Sequence, residues 1–443
     1  MNIAVIALGK IGLPLAVQFA SKGNRVLGCD IDKTTVKLVN EGIEPFSGEA
    51  FLAEKLRQVV KNGTLTATMN TVEAVTNSEF VVVVVPLVVN PDGIPNFEGI
   101  DSATHEIAKG LKPGALISFE TTLPVGTTRN RFAKILENVS GLRAGSDFSL
   151  VFSPERVFTG RVFSDLQRYP KLIGGFTKSC AARGTEFYTS VLDFDERPEL
   201  SKPNGVWNLG LCEAAEFAKL AETTYRDVNI GLANQFAKFA DKNELDVFKI
   251  IEACNSQPYS HIHQPGIAVG GHCIPIYSQF YLWNDPEAQI VRAAREVNQG
   301  MPNYGVELLE KKHGLLSGQR VAVLGATYRG GVKDTSFSGV FAIVAALQEK
   351  NATVFVHDPM FSADELESLG FNPYTLGQSL DAAIIQADHK EYESLNRELI
   401  GNARTVLDGR NLAFTKLKVE VEVEVVSIGN ITRIHDSIEF TDQ

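Results

Sequence analysis

The chain has 443 residues, of which 44% are hydrophobic and 21% charged, and its formal net charge at pH 7 is −11. This length exceeds what one hydrophobic core usually serves, so two or three globular domains are expected. A net negative charge disfavours binding to nucleic acid and to anionic membranes, and we predict neither as a partner.

The cysteines and the N-terminal residues bear on the compartment. Five cysteines are scattered without a CxxC pair, which is neither a disulfide framework nor a zinc-binding pattern, and no metal site is predicted. The chain opens MNIAVIALGKIG, without a basic segment before a long apolar stretch, so a signal peptide is not expected. The longest apolar run, 80–89, contains Pro86 and is too short to span a bilayer. These features favour a cytoplasmic protein in a reducing compartment.

The first thirty residues have the pattern of a dinucleotide-binding unit. Short apolar strands are predicted at Asn2–Ala7 and Arg25–Cys29, with a helix between them. Gly9 and Gly12 lie in the turn before the helix, and Asp30 ends the second strand. In such a unit the glycines bring the pyrophosphate to the helix N-terminus, and the acid binds the adenosine ribose. A carboxylate at that position repels a 2′-phosphate, so NAD is favoured over NADP.

One position departs from the GxGxxG pattern. Ala7 stands where the first glycine is usual, so the motif reads A-L-G-K-I-G. The motif alone is weak evidence, but its place inside a strand–helix–strand unit that ends in Asp30 strengthens the prediction. The alternative is a plain unit of this kind that binds no nucleotide.

Further strands are predicted after this unit, at Phe80–Val85, Ala115–Glu120 and Ser149–Phe152. Ligands of open α/β sheets lie beyond the carboxyl ends of the strands. Four residues near those ends are therefore candidate ligand contacts, namely Leu87, Thr122, Glu155 and Arg156. For each of them the alternative is a role in capping a loop.

A long helix without proline is predicted for 208–243, where apolar residues recur at intervals of three and four. Its length suits a helix that links two domains and offers a surface for a dimer. Lys219, Thr223 and Arg226 share one face of this helix. The alternative for these three residues is a solvated polar face.

A second α/β unit is predicted in the C-terminal part. Its strands are expected at Gln319–Leu324, Thr353–His357, Asp381–Ile385, Thr405–Leu407 and, as a half-exposed edge strand, Lys416–Ile428. The predicted fold class is therefore α/β, with two Rossmann-like lobes joined by a long central helix and a helical middle domain. The domains are expected at residues 1–200, 201–300 and 301–443.

The segment Gln264–Tyr281 holds Cys273 in what we predict to be a tight loop. Glycines precede the cysteine at positions 266, 270 and 271, and a proline follows it at 275. Glycines let another molecule approach the backbone closely, so this thiol is a candidate for contact with a ligand. The alternative is a buried structural cysteine, which is the commoner fate of a lone thiol.

Seven segments, taken together and in order, make the chain resemble the nucleotide-sugar 6-dehydrogenases, the UDP-glucose/GDP-mannose dehydrogenase family. The similarity is greatest to the branch that oxidises UDP-N-acetylmannosamine, followed by the UDP-N-acetylglucosamine branch. The segments are IALGKIGLPLA, ETTLPVGTT, SPERVFTGR, FAKLAETTYRDVNIGLANQF, QPGIAVGGHCIP, VAVLGATYRGGVKDT and VLDGRN.

The resemblance implies an NAD-dependent oxidoreductase that converts the sugar C6 alcohol to a carboxylate by two hydride transfers. It implies that Cys273 forms a thiohemiacetal and then a thioester, that Lys219 stabilises developing oxyanions, and that Glu155 orients water or accepts a proton. It also implies a homodimer, and a role in supplying charged sugars for surface polysaccharides or, less often, for secondary metabolites.

The resemblance further implies two sets of binding residues. NAD contacts are expected from Gly9, Ile11, Gly12, Asp30, Leu87 and Thr122. Contacts to the nucleotide sugar are expected from Arg156, Val157, Thr223, Arg226, Tyr259, Gly270, Tyr328 and Arg329.

Several positions depart from the family pattern. Tyr277 stands where the family carries an aspartate that assists catalysis, four residues after the cysteine. The other departures are Thr223 for an asparagine, Leu87 for a threonine, Gln257 and Tyr259 for a histidine and an arginine, Arg329 for a lysine, and Asp334-Thr335-Ser336-Phe337-Ser338 where an element with an arginine is usual.

These departures leave three functions open. The first is a complete dehydrogenase, and the second is an oxidoreductase on another nucleotide sugar that stops at the aldehyde or hydrolyses the thioester slowly. The third is a non-catalytic relative that only binds nucleotide sugars. The joint presence of Cys273, Lys219 and Glu155 favours an enzyme.

Overall fold

The computed structural model describes residues 1–90, 92–412 and 423–430. The contacts within the chain define two compact units. The first unit is Met1–Glu222 with Gln279–Asp285, and the second is Thr223–Ser278 with the residues from Pro286 onward. Within the described residues, no helix has both the length and the apolar character that crossing a membrane requires.

An eight-stranded sheet forms the centre of the first unit, in the order β10-β9-β8-β7-β4-β1-β2-β3. A separate two-stranded hairpin pairs β5 with β6. The strands are β1 (Asn2–Ile6), β2 (Arg25–Cys29), β3 (Leu65–Thr68), β4 (Phe80–Val83), β5 (Val88–Val89), β6 (Pro95–Asn96), β7 (Leu116–Phe119), β8 (Ser149–Phe152), β9 (Lys171–Gly175) and β10 (Val206–Leu211).

Six neighbouring strands of the large sheet, in the order β8-β7-β4-β1-β2-β3, pair in parallel. The direction of winding reverses between β1 and β4. This is the doubly wound arrangement, in which ligands bind at the reversal point. Helices pack around the sheet and connect the strands: α1 (Gly12–Ser21), α2 (Lys33–Asn40), α3 (Leu52–Lys61), α4 (Thr71–Thr76), α5 (Glu98–Gly110), α6 (Ala133–Ser140), α7 (Val162–Arg168) and α8 (Lys178–Val191).

Two strands, β9 and β10, run against the other six. Strand β9 pairs antiparallel with β8, with Val151 opposite Gly175 and Phe152 opposite Gly174. The next strand, β10, is parallel to β9. Because of this reversal, the first residue of β9, Lys171, lies at the edge of the sheet where β8 ends.

Helix α9 (Cys212–Lys242) has 31 residues and is the long helix that the sequence predicts. Its predicted start at residue 208 is wrong, because 208–211 belong to β10. Gly210 has a φ of 87°, a left-handed conformation that a right-handed helix does not accommodate. The division into the two units falls within this helix.

The second unit is built on a five-stranded parallel sheet in the order β12-β11-β13-β14-β15. Its strands are β11 (Arg320–Leu324), β12 (Thr353–His357), β13 (Ala382–Ile385), β14 (Thr405–Asp408) and β15 (Glu424–Ser427). Its remaining helices are α10 (Val247–Asn255), α11 (Cys273–Asn284, of which only the first part lies in this unit), α12 (Gln289–Gln299), α13 (Met301–His313), α14 (Val340–Glu349) and α15 (Ala363–Ser368).

The predicted α/β class is confirmed, since the first unit holds a mostly parallel sheet and the second a fully parallel one. The predicted edge strand at Lys416–Ile428 is confirmed for β15, and residues 416–422 lie outside the described part of the chain. The boundaries at 200 and 300 stay a prediction.

The tight loop predicted around Cys273 needs one correction. The loop ends before the cysteine, which is the first residue of α11, and Pro275 lies in the first turn of that helix. Proline is tolerated in the first turn because the N–H groups there have no partner within the helix.

Candidate active site

The turn between β1 and α1 is closed by a backbone contact at Gly12. A Cβ on Gly12 would lie 1.9 Å from the carbonyl oxygen of Ala7, whereas a Cβ on Gly9 would meet nothing within 4 Å. Ala7 itself has a φ of 77°. Ala7, which stands where the first glycine is usual, thus has the left-handed backbone conformation that a glycine adopts without strain. Gly9 leaves open space above the turn, where a pyrophosphate can approach the helix N-terminus.

Asp30 joins the end of β2 to the glycine turn. Its Oδ2 accepts a hydrogen bond from the backbone N–H of Leu8 at 2.8 Å, and its Oδ1 accepts one from the N–H of Asp32 at 2.9 Å. Each carboxylate oxygen can accept two hydrogen bonds, so both retain capacity for the ribose hydroxyls. The turn and Asp30 together fit an adenine dinucleotide without a 2′-phosphate.

The remaining residues of the predicted NAD set lie near the same end of the sheet. Ile11 is half-buried just before α1, Leu87 follows β4, and Thr122 follows β7. The hydroxyl of Thr121 donates to the carbonyl of Val85 at 2.7 Å and ties the loops after β4 and β7 together. The structure therefore places the NAD set at the carboxyl ends of neighbouring strands.

Glu155 is held at the end of β8 by two donors. Its Oε1 accepts from the backbone N–H of Arg156 at 2.7 Å, and its Oε2 accepts from Nζ of Lys171 at 2.8 Å. Nζ of Lys171 also donates to Oε2 of Glu120 at 2.5 Å. Lys171 and Glu120 are not among the residues that the sequence predicts for the site. A signal was present, since Lys171 is a charged residue at the head of the apolar strand KLIGG.

The two glutamates of this cluster titrate differently. Burial raises the pKa of Glu120 to about 7, against the opposing effect of Lys171. Burial also disfavours the charged form of Glu155, but the Lys171 cation and the hydrogen bonds to Glu155 outweigh it and lower the pKa of that carboxyl. Glu155 therefore ionises at lower pH than Glu120, and below pH 7 it is the mainly ionised member of the pair.

Arg156 and Val157 have partners within the first unit. Nε of Arg156 donates to Oε2 of Glu222 at 2.8 Å, and its Nη1 donates to the carbonyl of Pro170 at 3.3 Å. Val157 packs against the apolar core. A role of Arg156 in binding a substrate phosphate therefore has to accommodate the carboxylate of Glu222.

The polar residues on α9 do not form a solvated face. Lys219 is 5% exposed and Thr223 is fully buried. Arg226 is partly buried, and burial together with the Arg226 charge lowers the pKa of His263. The alternative of a solvated surface is therefore wrong for this set. A buried lysine needs partners of opposite charge or a ligand that completes its hydrogen bonds.

In the second unit the cysteine segment packs against the loop after β11. The N–H of Gly271 donates to the carbonyl of Ser336 at 3.0 Å. A Cβ on Gly270 would lie 2.7 Å from Cβ of Tyr328 and 2.7 Å from the carbonyl oxygen of Phe337. The structure thus brings Gly270 and Tyr328 together, as two members of the predicted substrate set. Cys273 follows them at the exposed start of α11.

The loop that carries Tyr328 is anchored by a buried acid. Oδ2 of Asp358, at the end of β12, accepts from the N–H groups of Ala326 and Thr327 at 2.8 and 3.0 Å and lies 3.0 Å from Nε2 of His389. Asp358 is 2% exposed. Like Asp30 in the first unit, it follows the second strand of its sheet in chain order and accepts hydrogen bonds from the loop after the first strand.

The other predicted substrate residues are solvent-facing. The guanidinium of Arg329 donates from Nε to the hydroxyl of Tyr328 at 3.2 Å, and the residue is exposed. Tyr259, in the segment after α10, is 92% exposed. Tyr259 has most of its surface in solvent, whereas Arg329 is exposed but held against the hydroxyl of Tyr328.

The five cysteines fall into two groups. Cys29, Cys180 and Cys212 are buried, and burial raises the pKa of Cys29 to about 12. Cys254 and Cys273 are exposed. Cys273 is therefore not a buried structural thiol, which was the alternative for it. The amide groups of a helix's first turn stabilise negative charge that develops there, as on the adducts of such a cysteine.

A Rossmann sheet with a dinucleotide turn, an acid for the ribose and a second Rossmann sheet defines the class of nicotinamide-dinucleotide-dependent dehydrogenases. Comparison with known families agrees. Residues 1–192 match the NAD binding domain of the UDP-glucose/GDP-mannose dehydrogenase family, residues 213–300 match its central domain, and residues 322–415 match its UDP binding domain.

Individual relatives are similar over nearly the whole chain. The UDP-N-acetyl-D-mannosamine dehydrogenase of Pyrococcus horikoshii is 36% identical over 422 residues, covering 93% of this chain and 96% of the relative. The enzyme of the same name from Campylobacter jejuni is 34% identical over 409 residues, covering 88% of this chain and 96% of the relative.

Solved structures give the same result. The UDP-D-ManNAc dehydrogenase of P. horikoshii superimposes with a TM-score of 0.86 at 34% identity, covering 97% of this chain and 99% of the other. The chain belongs to the UDP-glucose/GDP-mannose dehydrogenase family. The predicted resemblance, the NAD cofactor and the enzyme class, an NAD-dependent nucleotide-sugar dehydrogenase, are thereby confirmed.

Proposed function

We propose that this enzyme oxidises a UDP-N-acetylhexosamine, with UDP-N-acetyl-D-mannosamine as the first choice, at C6 to the uronic acid by two hydride transfers. The relatives from P. horikoshii and C. jejuni carry the name of this substrate. The observation that carries the mechanism is the placement of Cys273 at the exposed start of α11, directly after glycines packed on Tyr328.

The proposed cofactor contacts come from Gly9, Ile11, Gly12, Asp30, Leu87 and Thr122. Bound NAD⁺ supplies the hydride acceptor for both oxidation steps. Gly9 leaves the space for the pyrophosphate, and Asp30 offers its free lone pairs to the ribose.

Cys273 is the proposed nucleophile. Its thiolate adds to the C6 aldehyde and forms a thiohemiacetal, loss of hydride from that carbon leaves a thioester, and water releases the uronate and the thiol. Sulfur suits both the first and the last of these reaction steps, since a thiolate is a strong nucleophile and a good leaving group. The buried ammonium of Lys219 stabilises the oxyanions of the thiohemiacetal and of the hydrolysis step.

Glu155 is the proposed base. A base must be ionised at the working pH, and the cation of Lys171 lowers the pKa of Glu155 despite its burial. Its carboxylate takes a proton from the substrate alcohol or from the attacking water.

The residues proposed to bind the nucleotide sugar include charged, aromatic and small side chains. Arginines suit phosphates because the guanidinium forms paired hydrogen bonds, and tyrosines suit the faces of a base or sugar. The proposed residues are Arg156, Val157, Thr223, Arg226, Tyr259, Gly270, Tyr328 and Arg329.

One observation favours a second candidate function. Tyr277 lies on α11 four residues after Cys273, on the same helix face, where the family resemblance leads one to expect an aspartate. A tyrosine is neutral near pH 7 and does not activate water as a carboxylate does. In the second candidate, the enzyme stops at the aldehyde or releases the thioester slowly.

The amount of NADH formed per sugar separates these functions. Purified protein is incubated with NAD⁺ and limiting UDP-N-acetyl-D-mannosamine, and absorbance at about 340 nm is followed to completion; other UDP-, GDP- and dTDP-sugars form the comparison panel. About two NADH per sugar supports the proposed oxidation. About one, with an aldehyde trapped by a hydrazine, supports the second candidate. No NADH from any sugar that binds would leave the non-catalytic alternative.

A homodimer through α9 is part of the proposal. Four of the exposed apolar side chains on this helix follow one another at intervals of seven, four and three residues, namely Tyr225, Leu232, Phe236 and Phe239, and they are 38% to 61% exposed. An apolar stripe of this kind suits a second copy of the same helix. Cytoplasmic location and a role in supplying sugars for polysaccharides complete the proposal.

A further inference from the structure

The reversed strand β9 brings a lysine to two carboxylates. Glu120 follows β7, Glu155 follows β8, and Lys171 begins β9, which runs antiparallel to β8. The ammonium of Lys171 lies 2.8 Å from Oε2 of Glu155 and 2.5 Å from Oε2 of Glu120. The hydroxyl of Ser153 donates to the carbonyl of Leu172 at 2.7 Å and holds the start of β9 against the end of β8.

The cluster is buried and almost saturated with hydrogen bonds. The side chains of Lys171, Glu120 and Glu155 are 4%, 0% and 11% exposed. The hydroxyl of Tyr188 donates to Oε1 of Glu120 at 2.6 Å and lies 2.6 Å from the hydroxyl of Ser118. Only Glu155 of the two acids reaches solvent, so the cluster has an interior end and an exposed end.

The charges in the cluster do not balance when both acids are ionised. One ammonium faces two carboxylates in a buried site, and two acids that share such a site do not both ionise readily. The acid that takes the proton is the one deeper in the protein, Glu120, since its charge is the more costly to bury. The neighbouring ion pair of Arg156 with Glu222 is internally neutral and leaves this balance unchanged.

We propose that Lys171 is a positioning residue that holds Glu155 ionised and correctly oriented for its role as a base, and that Glu120 carries the compensating proton. This inference rests on the function proposed above for Glu155. It also gives the antiparallel direction of β9 a function. Because β9 begins beside the end of β8, its first residue, a lysine, lies at the carboxyl ends of the parallel strands.

The titration behaviour supports the same assignment. Burial raises the pKa of Glu120 to about 7, whereas Lys171 and the hydrogen bonds to Glu155 lower the pKa of Glu155 against the effect of its burial. A purely structural ion pair does not require this asymmetry. Replacing a buried ion pair by apolar residues is often neutral for stability, so stability alone does not account for the cluster.

The test reads the titration of Glu155 directly, without turnover. The protein is labelled with ¹³C at the glutamate side-chain carboxyl, and the Glu155 signal is assigned by its loss in Glu155→Gln. In Lys171→Met the titration of Glu155 is expected to move to higher pH by about one unit or more, because the remaining partner is a second acid. Lys171→Arg, which keeps the cation, is expected to stay within about half a unit of the wild type.

A second variant keeps the inference testable where Lys171→Met does not fold. Glu120→Gln preserves the size of the side chain and resembles the protonated acid, so Glu155 is expected to titrate within about half a unit of the wild type. An unchanged titration of Glu155 in Glu120→Gln and a rise in folded Lys171→Met support the inference. A shift of Glu155 to lower pH in Glu120→Gln, which would show that Glu120 is charged while Glu155 titrates, or an unchanged titration in folded Lys171→Met, contradicts it.

Enzyme kinetics then separates this inference from the proposed function. With NAD⁺ and UDP-N-acetyl-D-mannosamine, the fall of kcat on the acid side of the pH profile is expected to move to higher pH in Lys171→Met, in step with the titration of Glu155, with KM for NAD⁺ unchanged. If Glu155→Gln retains full activity, the proposed role of Glu155 is wrong while the titration result stands. If Glu155→Gln is slow but folded Lys171→Met keeps the wild-type pH profile, Lys171 is not the positioning residue.

Discussion

The carbonyl oxygen of Ala7 lies 1.9 Å from the position that a Cβ would take on Gly12. The turn between β1 and α1 therefore closes through backbone atoms, and residue 12 has no space for a side chain. Gly9, three residues earlier, has a different role, since a Cβ there would meet nothing within 4 Å. One glycine permits the fold of the turn, and the other leaves room above it.

This difference predicts opposite consequences for two matched alanine variants. Gly12→Ala is expected to destabilise the protein by about 2 kcal/mol or more, because the backbone of the turn must shift. Gly9→Ala is expected to leave the free energy of unfolding nearly unchanged and to weaken NAD⁺ binding, because the new methyl group occupies the space of the pyrophosphate. Denaturant unfolding and calorimetric titration with NAD⁺ measure the two effects. Equal loss of stability in both variants would contradict the assignment.

A pH dependence of stability is expected from Glu216, a buried acid on α9. It accepts hydrogen bonds from the N–H of Gly126 and from the N–H and hydroxyl of Thr128, in the loop after β7. Burial raises its pKa to about 7, although these hydrogen bonds oppose the shift. The folded state thus binds the proton more tightly than the unfolded state, in which an ordinary glutamate titrates near pH 4.5.

The sign of the effect follows from this difference. The stability contributed by the protonated acid is complete below about pH 4.5 and is lost as the pH rises through about 7, by about 3 kcal/mol in total. Glu216→Gln, which resembles the protonated acid, is expected to stabilise the protein at pH 8 relative to the wild type and to change little at pH 4.5. Denaturant unfolding at the two pH values checks this, and a stabilisation that is equal at both refutes it.

Tyr277 predicts a gain of function on substitution. Tyr277→Asp places a carboxylate one helical turn from Cys273, and hydrolysis of the thioester is expected to accelerate by about tenfold or more. Tyr277→Phe is the matched control, since it removes the hydroxyl without adding a charge and is not expected to accelerate the step. Rapid-quench measurement of uronate release after a single turnover reports the rate. An unchanged or slower rate in Tyr277→Asp shows that the site relies on another arrangement.

The exposed face of α9 predicts the oligomeric state. The wild type is expected to be a dimer, and the double variant Phe236→Asp/Phe239→Asp is expected to be a monomer, because it places two charges in the apolar stripe. Leu315→Asp is the control, since Leu315 is 81% exposed and lies outside this helix. Light scattering after size-exclusion chromatography gives the masses. A dimer that persists in the double variant places the interface elsewhere.

Much of the first unit could be predicted from sequence because its signals are local. The strand, glycine turn, helix, strand and Asp30 follow one another within thirty residues, and each is specified by its own residue types. The conformation of Ala7 was not predictable in this way. Its left-handed φ of 77° is imposed by the surrounding turn, against the preference of alanine.

The cluster around Lys171 could not be predicted because strand direction depends on tertiary pairing. The segment KLIGG reads equally well as a parallel or an antiparallel strand, and only the pairing with β8 places its lysine beside Glu155. The start of α9 was missed for a similar reason, since residues 208–211 join β10 through pairing with β9. The place of Glu155 and Thr122 beyond the carboxyl ends of β8 and β7 could be predicted, because the strands that precede them are predictable.

Mass spectrometry after a single turnover tests the covalent role of Cys273. Protein is mixed with NAD⁺ and UDP-N-acetyl-D-mannosamine and quenched in acid, and the peptide that contains Cys273 is weighed. A thioester adds the mass of the sugar nucleotide less four hydrogens, because two hydrides and two protons have left. Cys254→Ser, which alters the other exposed cysteine, is expected to give the same adduct. An adduct on Cys273 is the predicted result, and uronate formation by Cys273→Ser at the wild-type rate, with no adduct on the wild type, would contradict the account.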